Sequence, residues 1–241
     1  MQIISHSLWI KTVTWLGLTL LGAIAPTLVQ GQIVLGQVNT FTDGTTDGWT
    51  DGNSPANSVN VATGGPNGLN DRYLQISSGT FGGHAKLISF NDTQWTGNYT
   101  AAGVSFIGMQ LRNFGTSTLP IRIAIDNSGH TPSIPGYAST VPFMLPADGQ
   151  WHQAVFAVNA ADLTPFNSPA SPVLSVLNDV FDFRVLSSAS PSTTGDILNA
   201  QIGVDNVTAL GAAPVPEPAS VVLAAFACAA GVALKRRRQI R

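Results

Sequence analysis

The chain has 241 residues, of which 44% are hydrophobic and only 10% are charged, and its formal net charge is −2. Six of the eleven Lys and Arg residues lie in the first 31 or the last 28 positions, so residues 32–213 keep five basic residues against twelve Asp and no Glu, a net charge of −7. Such an acidic segment repels nucleic acid and anionic lipid surfaces, and neither is expected as a partner.

The first 31 residues have the order of a secretory signal peptide. Residues 1–11 carry a single cation, Lys11, and residues 12–29 are apolar apart from Pro26 and a few small or hydroxylated side chains. Val29 and Gly31 supply the small residues of a cleavage site, whereas a cut after Ala25 would place Pro26 directly behind it. We therefore expect signal peptidase to remove residues 1–31 and the remainder to be exported.

The segment that follows repeats Thr-Asp-Gly three times between Thr42 and Gly52. Asp-Gly favours turns, because Asp tolerates the left-handed backbone and Gly prefers it. Three carboxylates within nine residues are also able to ligate calcium, but their spacing of four differs from the spacing of two in an EF-hand loop. Turns without a metal are the favoured interpretation, and a calcium site is the alternative.

Residues 32–213 have the texture of an all-β domain. Short runs rich in Val, Ile, Phe and Thr are separated by Gly, Asn, Asp, Ser and Pro, and no helical period persists for twelve residues. Alternation at residues 121–125 and 181–185 predicts strands with one buried and one solvent-facing side. Many short strands without a repeat predict one two-sheet β-sandwich. The predicted strands are 72–77, 85–90, 104–111, 120–125, 152–158, 181–186 and 201–210.

Four pieces of this domain resemble the jelly-roll β-sandwich of carbohydrate-binding modules and of galactose-binding-like or laminin-type domains. They are residues 41–49, 71–76, 148–152 and 202–207. The resemblance implies a structural calcium ion with Asp205 as its first ligand and Asp43 as its second, although Thr42 stands where a Glu is common.

Aromatic residues are the natural candidates for a sugar-binding site, because a ring stacks on the face of a sugar and polar side chains surround it. Trp49 ends a turn and Trp151 heads a strand, so both are expected in the core. Trp95 and Tyr99 lie in the polar stretch 91–99. They are the aromatic pair that the sequence favours as exposed and as ligand-binding.

Residues suited to catalysis are scarce. A glycosidase usually takes its protonated acid from Glu, which residues 32–213 lack. There is no Gly-x-Ser-x-Gly and no HExxH motif, and the only cysteine is Cys228, near the C-terminus. We therefore predict no enzymatic activity, and a divergent hydrolase is the least favoured alternative.

The last 28 residues contain Pro-Glu-Pro, an uncharged apolar run over residues 219–234 and a basic cluster. As a helix the run would span roughly 24 Å, a little short of the ~30 Å of bilayer hydrocarbon. The cations would remain cytoplasmic by the positive-inside rule. The motif residues are Pro216, Glu217, Pro218, Lys235, Arg236, Arg237 and Arg238.

This order, in residues 214–241, resembles the PEP-CTERM sorting signal, which the membrane protease exosortase processes. The resemblance implies an inner-membrane intermediate held by a transmembrane helix, followed by delivery to the cell surface or the medium; an ordinary membrane anchor is the alternative. We expect an exported surface or matrix protein with a structural or adhesive role linked to exopolysaccharide. The alternative is a carbohydrate-binding module with a defined glycan ligand.

Overall fold

The computed structural model describes residues 31–51, 58–79, 85–129, 134–167 and 171–213. The predicted sorting signal, with its membrane helix at residues 219–234, and all but the last residue of the predicted signal peptide lie outside these ranges. Within them, no helix has both the length and the apolar character needed to cross a bilayer.

The described residues form twelve strands and one short helix. In chain order these are β1 (Val38–Asn39), β2 (Ser58–Val61), β3 (Tyr73–Ser77), β4 (Ile88–Asn91), β5 (Phe106–Asn113), β6 (Leu119–Asp126), β7 (Gly136–Ser139), β8 (Phe143–Leu145), β9 (Trp151–Ala157), β10 (Leu163–Phe166), α1 (Val173–Leu177), β11 (Asp182–Ser187) and β12 (Gln201–Leu210).

The strands make two antiparallel sheets. The first sheet has the order β2-β3-β12-β5-β9, and β1 pairs with β12 beyond the end of β3. The second sheet has the order β10-β7-β6-β11-β4, and β8 pairs with β6. The closing strand β12 is therefore central in the first sheet, between β3 and β5.

The inner faces of the two sheets enclose one hydrophobic core. Three aromatic rings lie within it: Trp95 stacks on Phe183 with ring centroids 5.5 Å apart, and Trp49 meets Phe183 edge-on at 5.7 Å. Asn39 satisfies both indoles, because its side-chain oxygen accepts hydrogen bonds from Nε1 of Trp49 at 3.0 Å and of Trp95 at 2.5 Å. The side-chain oxygen of Asn39 is thus buried in the core with two hydrogen-bond donors.

The all-β sandwich predicted from the sequence is confirmed, and each of the seven predicted strands is present within three residues of its predicted bounds. The structure adds five strands and the helix, each of two to five residues. Elements this short do not complete enough periods of alternation to be recognised. The first two predicted Asp-Gly turns are also present, with Gly44 at φ +85° and Gly48 at φ +78°, and Gly52 of the third lies outside the described residues.

One expectation about strand faces is wrong. The polar sides of β6 and β11 were expected to face solvent, but Arg122 and Arg184 are each only 3% exposed. Loops cover them: Arg122 donates to the carbonyls of Ser188 at 3.0 Å and Ala189 at 2.8 Å. Long guanidinium side chains can be buried when backbone oxygens accept their protons, so alternation alone does not identify a solvent-facing side.

Candidate functional site

The two sheets differ in how their outer faces are covered. On the second sheet, the outward residues Asp182, Arg184 and Leu186 of β11 are all buried. On the first sheet, outward residues remain partly or fully accessible, such as Gln110 of β5 and Gln153 of β9. The outer face of the first sheet is therefore the large β-sheet surface available to a ligand in the described part of the chain.

The residues of this surface follow from strand alternation and register. Ile107, Met109 and Leu111 of β5 enter the core, which directs Gln110 and Arg112 outward. The register places Trp151 opposite Arg112 and Gln153 opposite Gln110 on β9. On the other side of β5, Gly203 of β12 lies opposite Arg112 and next to Gln75 of β3. We call this surface the open face; its residues are Tyr73, Gln75, Gln110, Arg112, Phe114, Trp151 and Gln153.

The Trp151 ring lies across the sheet, over Gly203 of β12. A Cβ atom on Gly203 would be 2.7 Å from Cη2 of Trp151 and 3.2 Å from Cδ2 of Tyr73, so the absence of a side chain creates the space for both rings. Nε1 of Trp151 donates to the carbonyl of Gly64 at 3.1 Å, which fixes the orientation of the indole. The ring is thus held in place by packing and by one hydrogen bond.

Two further aromatic rings pack beside Trp151, of which Tyr73 is only 6% exposed and Phe114 is partly exposed. Tyr73 meets Trp151 edge-on, with ring centroids 5.4 Å apart, and its other side is 6.0 Å from Phe114. The guanidinium carbon of Arg112 is 5.0 Å from the centre of the Phe114 ring, in cation–π contact. Trp151, Tyr73, Phe114 and Arg112 form a continuous group, which we call the aromatic–arginine cluster.

An acidic residue lies under the same face. Asp205 of β12 is opposite Gln110, yet it has no exposed surface. Burial raises the pKa of its carboxyl to about 7; the backbone N–H of Asn206, which donates to the carboxylate at 2.7 Å, acts in the opposite direction. Asn206 has φ +50° at an irregularity in the pairing of β12 with β5, and this places its N–H beside the carboxylate.

The aromatic pair predicted from the sequence is not on this surface. Trp95 and Tyr99 were expected to be exposed, and both are 0% exposed. The polar residues around them serve the backbone rather than solvent: Asn91 accepts hydrogen bonds from the backbone N–H groups of Thr93 and Gln94. The Tyr99 hydroxyl donates to the carbonyl of Trp95 at 3.0 Å. A fully buried ring has no face for a sugar, so this prediction is corrected.

The two predicted calcium ligands have separate environments. The charge of Asp71 helps to raise the pKa of Asp205, whereas the charge of Arg72 helps to lower the pKa of Asp43. The Asp43 carboxylate accepts hydrogen bonds from the backbone and hydroxyl of Thr45. Among the residues that the structure describes, no group of three acidic, histidine or cysteine residues could hold a metal ion. A calcium ion at Asp205 or Asp43 would therefore need carbonyl or amide oxygens as further ligands, and the predicted calcium stays a prediction.

Sequence reasoning missed the residues that do form the open face. Trp151 was expected in the core, but its ring is only partly buried and lies outside the sheet. The alternation of side chains along β9 would have revealed this. Ala154 and Phe156 are core residues, and Trp151 lies an odd number of positions from Ala154, so its side chain is on the opposite side of the sheet. Gly203 in the middle of a long strand was a second signal, since an interior Gly often marks a close approach.

Two cavities lie away from the open face. A polar cleft of about 490 Å³ is lined by Asn39, Asp43, Asp47 and Gln94 among others. A less polar one of about 400 Å³ lies between Val141 and Val155. Neither contains the aromatic–arginine cluster.

Comparison with known proteins shows that this chain shares its fold with solved structures. The sequence matches no protein-family model and no curated protein. Among solved structures, an exo-β-agarase matches over 76% of this chain and 25% of the agarase chain, with a TM-score of 0.52 and 9% identity. This chain thus spans a quarter of that enzyme, and at such identity the match shows a shared fold alone.

Carbohydrate-binding modules are also among the structural neighbours. A family 11 module from Clostridium thermocellum, in complex with a β-1,3-1,4-mixed-linked tetrasaccharide, matches over 76% of this chain and 99% of its own, with a TM-score of 0.47 and 12% identity. A module specific for non-crystalline cellulose matches over 75% and 98%, with a TM-score of 0.41 and 12% identity.

Proposed function

We propose that this protein is a non-catalytic carbohydrate-binding module and that its open face binds a glycan chain. One observation carries the proposal: the partly exposed Trp151 ring is fixed on the outside of a β-sheet, beside Tyr73 and among amide side chains. An aromatic ring of this kind offers an apolar plane to the apolar face of a sugar. The fold provides the plane before any ligand arrives, which reduces the entropy lost on binding.

The amide side chains supply the complementary polar contacts. Gln75, Gln110 and Gln153 lie on three strands of the open face, and each carries both hydrogen-bond donors and an acceptor. Sugar hydroxyls also donate and accept, so such amides match them without requiring one charge state. Gln110 and Gln153 are on the neighbouring strands β5 and β9, and Gln75 is on β3, one strand further across the sheet, so the polar contacts would continue across it.

The carboxyl groups of the central strands are not placed for hydrolysis at the open face. Glycoside hydrolysis uses two carboxyl groups on opposite sides of the scissile bond. Asp205 lies beneath the open face and has no exposed surface, and Asp126 and Asp182 are buried with Arg184 under the loops of the second sheet. None of these three carboxyl groups could reach a glycosidic bond in this conformation.

The test of glycan binding compares three variants of residues on and off the open face. We expect wild type to bind members of a panel of soluble polysaccharides in affinity electrophoresis, and Trp151→Ala to bind about tenfold more weakly or worse. Trp151→Phe should retain most of the affinity, because it keeps a ring but loses the bond to Gly64. Leu174→Ala on α1, a residue 59% exposed and outside the open face, is the matched control.

Two results would count against this function. One is the absence of wild-type binding to every polysaccharide of the panel. The other is unchanged binding by a Trp151→Ala variant that melts cooperatively. Release of reducing sugar from a bound polysaccharide would instead favour the hydrolase alternative.

We further propose that the protein is exported and then sorted by exosortase, which would place the glycan-binding domain in a structural or adhesive role at the cell surface. The support is the sequence order of Pro216-Glu217-Pro218, the apolar run and the basic cluster. Intact mass and cell fraction should be measured in a host with and without exosortase. Loss of the segment after Pro216 only with exosortase present is expected; retention of the full tail in the inner membrane in both hosts would leave an ordinary anchor.

A further inference from the structure

The basic residues of the acidic domain are paired with acceptors, with one exception. Arg72 donates to Asn60, and Lys86 donates to the Thr194 hydroxyl. Arg122 binds backbone carbonyls, and Arg184 binds the carboxylates of Asp126 and Asp182. Arg112 alone among the five makes no hydrogen bond or ion pair with another described residue, and its Nε atom is buried without a partner.

The unpaired guanidinium is on the open face. Arg112 points outward from the centre of the first sheet, between Trp151 on β9 and Gly203 on β12. Its cation–π contact with Phe114 restricts the side chain and leaves it partly exposed. No ion pair joins it to Asp205, whose carboxyl group accepts hydrogen bonds from the backbone and side chain of Asn206.

A positive group in this position favours an anion over a neutral hydroxyl. Arginine offers a planar fork of N–H donors that matches a carboxylate in a bidentate way, and charge-assisted hydrogen bonds are about twice as strong as neutral ones. The net charge of −7 on residues 32–213 opposes anions at long range, but salt screens that field beyond roughly 8 Å at physiological ionic strength. Selectivity would therefore arise at direct contact.

We infer that the glycan bound by the open face carries an oxyanion, most favourably the carboxylate of a uronic acid, and that Arg112 binds it. This inference rests on the proposed function, since it specifies the class of ligand for the same surface. Trp151 would contact the sugar ring with Tyr73 packed behind it, and Arg112 would contact the anionic substituent. A sulfate ester presents a similar group of oxygens and is the other source of the same chemistry.

The experiment uses polymers that differ only in charge, with the full chain purified in detergent. De-esterified homogalacturonan and its methyl-esterified form share one backbone, as do alginate and its carboxyl-reduced derivative; a sulfated galactan and its desulfated form test the second source. We expect wild type to bind a charged member at least tenfold more tightly than its neutral counterpart. Arg112→Gln should lose that preference, because its affinity for the charged form should fall about tenfold more than its affinity for the neutral form.

Two additional variants separate contact from net charge and from fold. Arg112→Lys keeps the charge without the fork, and we expect it to retain part of the preference for carboxylate. Arg72→Gln removes the same charge outside the open face and should keep the full preference. Melting curves of all variants identify any loss that comes from unfolding.

The outcomes distinguish this inference from the function on which it rests. Equal wild-type affinity for both members of every pair would overturn the role of Arg112, as would an equal loss for both members in Arg112→Gln, while glycan binding itself would stand. Arg112-dependent binding of the sulfated pair alone would support the oxyanion and assign it to sulfate. Failure to bind any of the six polymers, together with failure across the wider neutral panel, would overturn both proposals.

Discussion

At the scale of single residues, Asp205 is an acid whose ionisation the fold opposes. Its ordinary pKa is 3.8, and burial raises the pKa to about 7 in the folded protein. Between about pH 4 and pH 7 the folded state holds a proton that the unfolded chain releases. The free energy of unfolding should therefore fall as the pH rises through this window and become flat above it.

Asp205→Asn is expected to remove this pH dependence. The amide oxygen can still accept the N–H of Asn206, and no charge has to be desolvated. The difference in unfolding free energy between variant and wild type should grow from pH 4 to pH 7 by at most about 4 kcal/mol. Urea denaturation at pH 4, 5.5, 7 and 8 measures it. A constant difference over this range would show that Asp205 is ionised in the folded state throughout.

Gly203 makes the second prediction at this scale. A methyl group there would come within 2.7 Å of the Trp151 ring, so Gly203→Ala should displace the ring and destabilise the domain by about 1–3 kcal/mol. Glycan affinity should fall as well. In the Trp151→Ala background the stability cost of Gly203→Ala should be clearly smaller, because only Tyr73, at 3.2 Å, remains close to the methyl group. Equal costs in both backgrounds would mean that Trp151 does not occupy this space.

At the scale of secondary-structure elements, Arg184 joins two strands of the second sheet. From β11 it donates to Asp126 at the end of β6 at 2.9 Å and to Asp182 on its own strand at 2.6 Å. It also donates to the backbone carbonyl of Thr193 in the covering loop at 2.9 Å. Burial raises the pKa of Asp126, and the charge of Arg184 opposes that rise. The cation thus allows the buried carboxylates to be accommodated.

Arg184→Gln should destabilise the protein by about 3–5 kcal/mol, because it leaves buried acids without their cation. Arg184→Gln should cost less stability in an Asp126→Asn background than in wild type, since one of the buried charges is then absent. Thermal and urea unfolding of the single and double variants measure this. If the second substitution instead adds its own full cost, the charge interaction is not the source of the loss.

The predicted elements show which signals are local. The strand at residues 201–210 was predicted with its observed bounds, because an alternating apolar pattern continues along most of it. The four residues of β7, Gly136–Ser139, contain a Gly and small side chains and carry no comparable pattern. β10 contains Pro165, which is depleted in strands. These strands form because their neighbours in the second sheet offer partners.

At the scale of the whole molecule, the last strand holds a central position. β12 pairs with β1, β3 and β5, and its inward residues belong to the core shared by both sheets. A chain ending at residue 199 should therefore not fold, because β3 and β5 lose the strand between them. A chain of residues 31–213 should unfold in a single cooperative transition. Calorimetry and circular dichroism compare the two; a folded shorter chain would contradict the central role of β12.

The amino-acid sequence alone predicts the all-β class, seven of the twelve strands in the described residues, the first two Asp-Gly turns and the acidic character of the domain. These depend on residue types and on neighbours a few positions away. Only the tertiary structure decided which side chains meet solvent. Trp95 is buried because Asn39, 56 positions earlier, accepts its indole N–H. Trp151 and Arg112 form a surface because strands distant in the chain pair side by side, and burial depends on such contacts rather than on local composition.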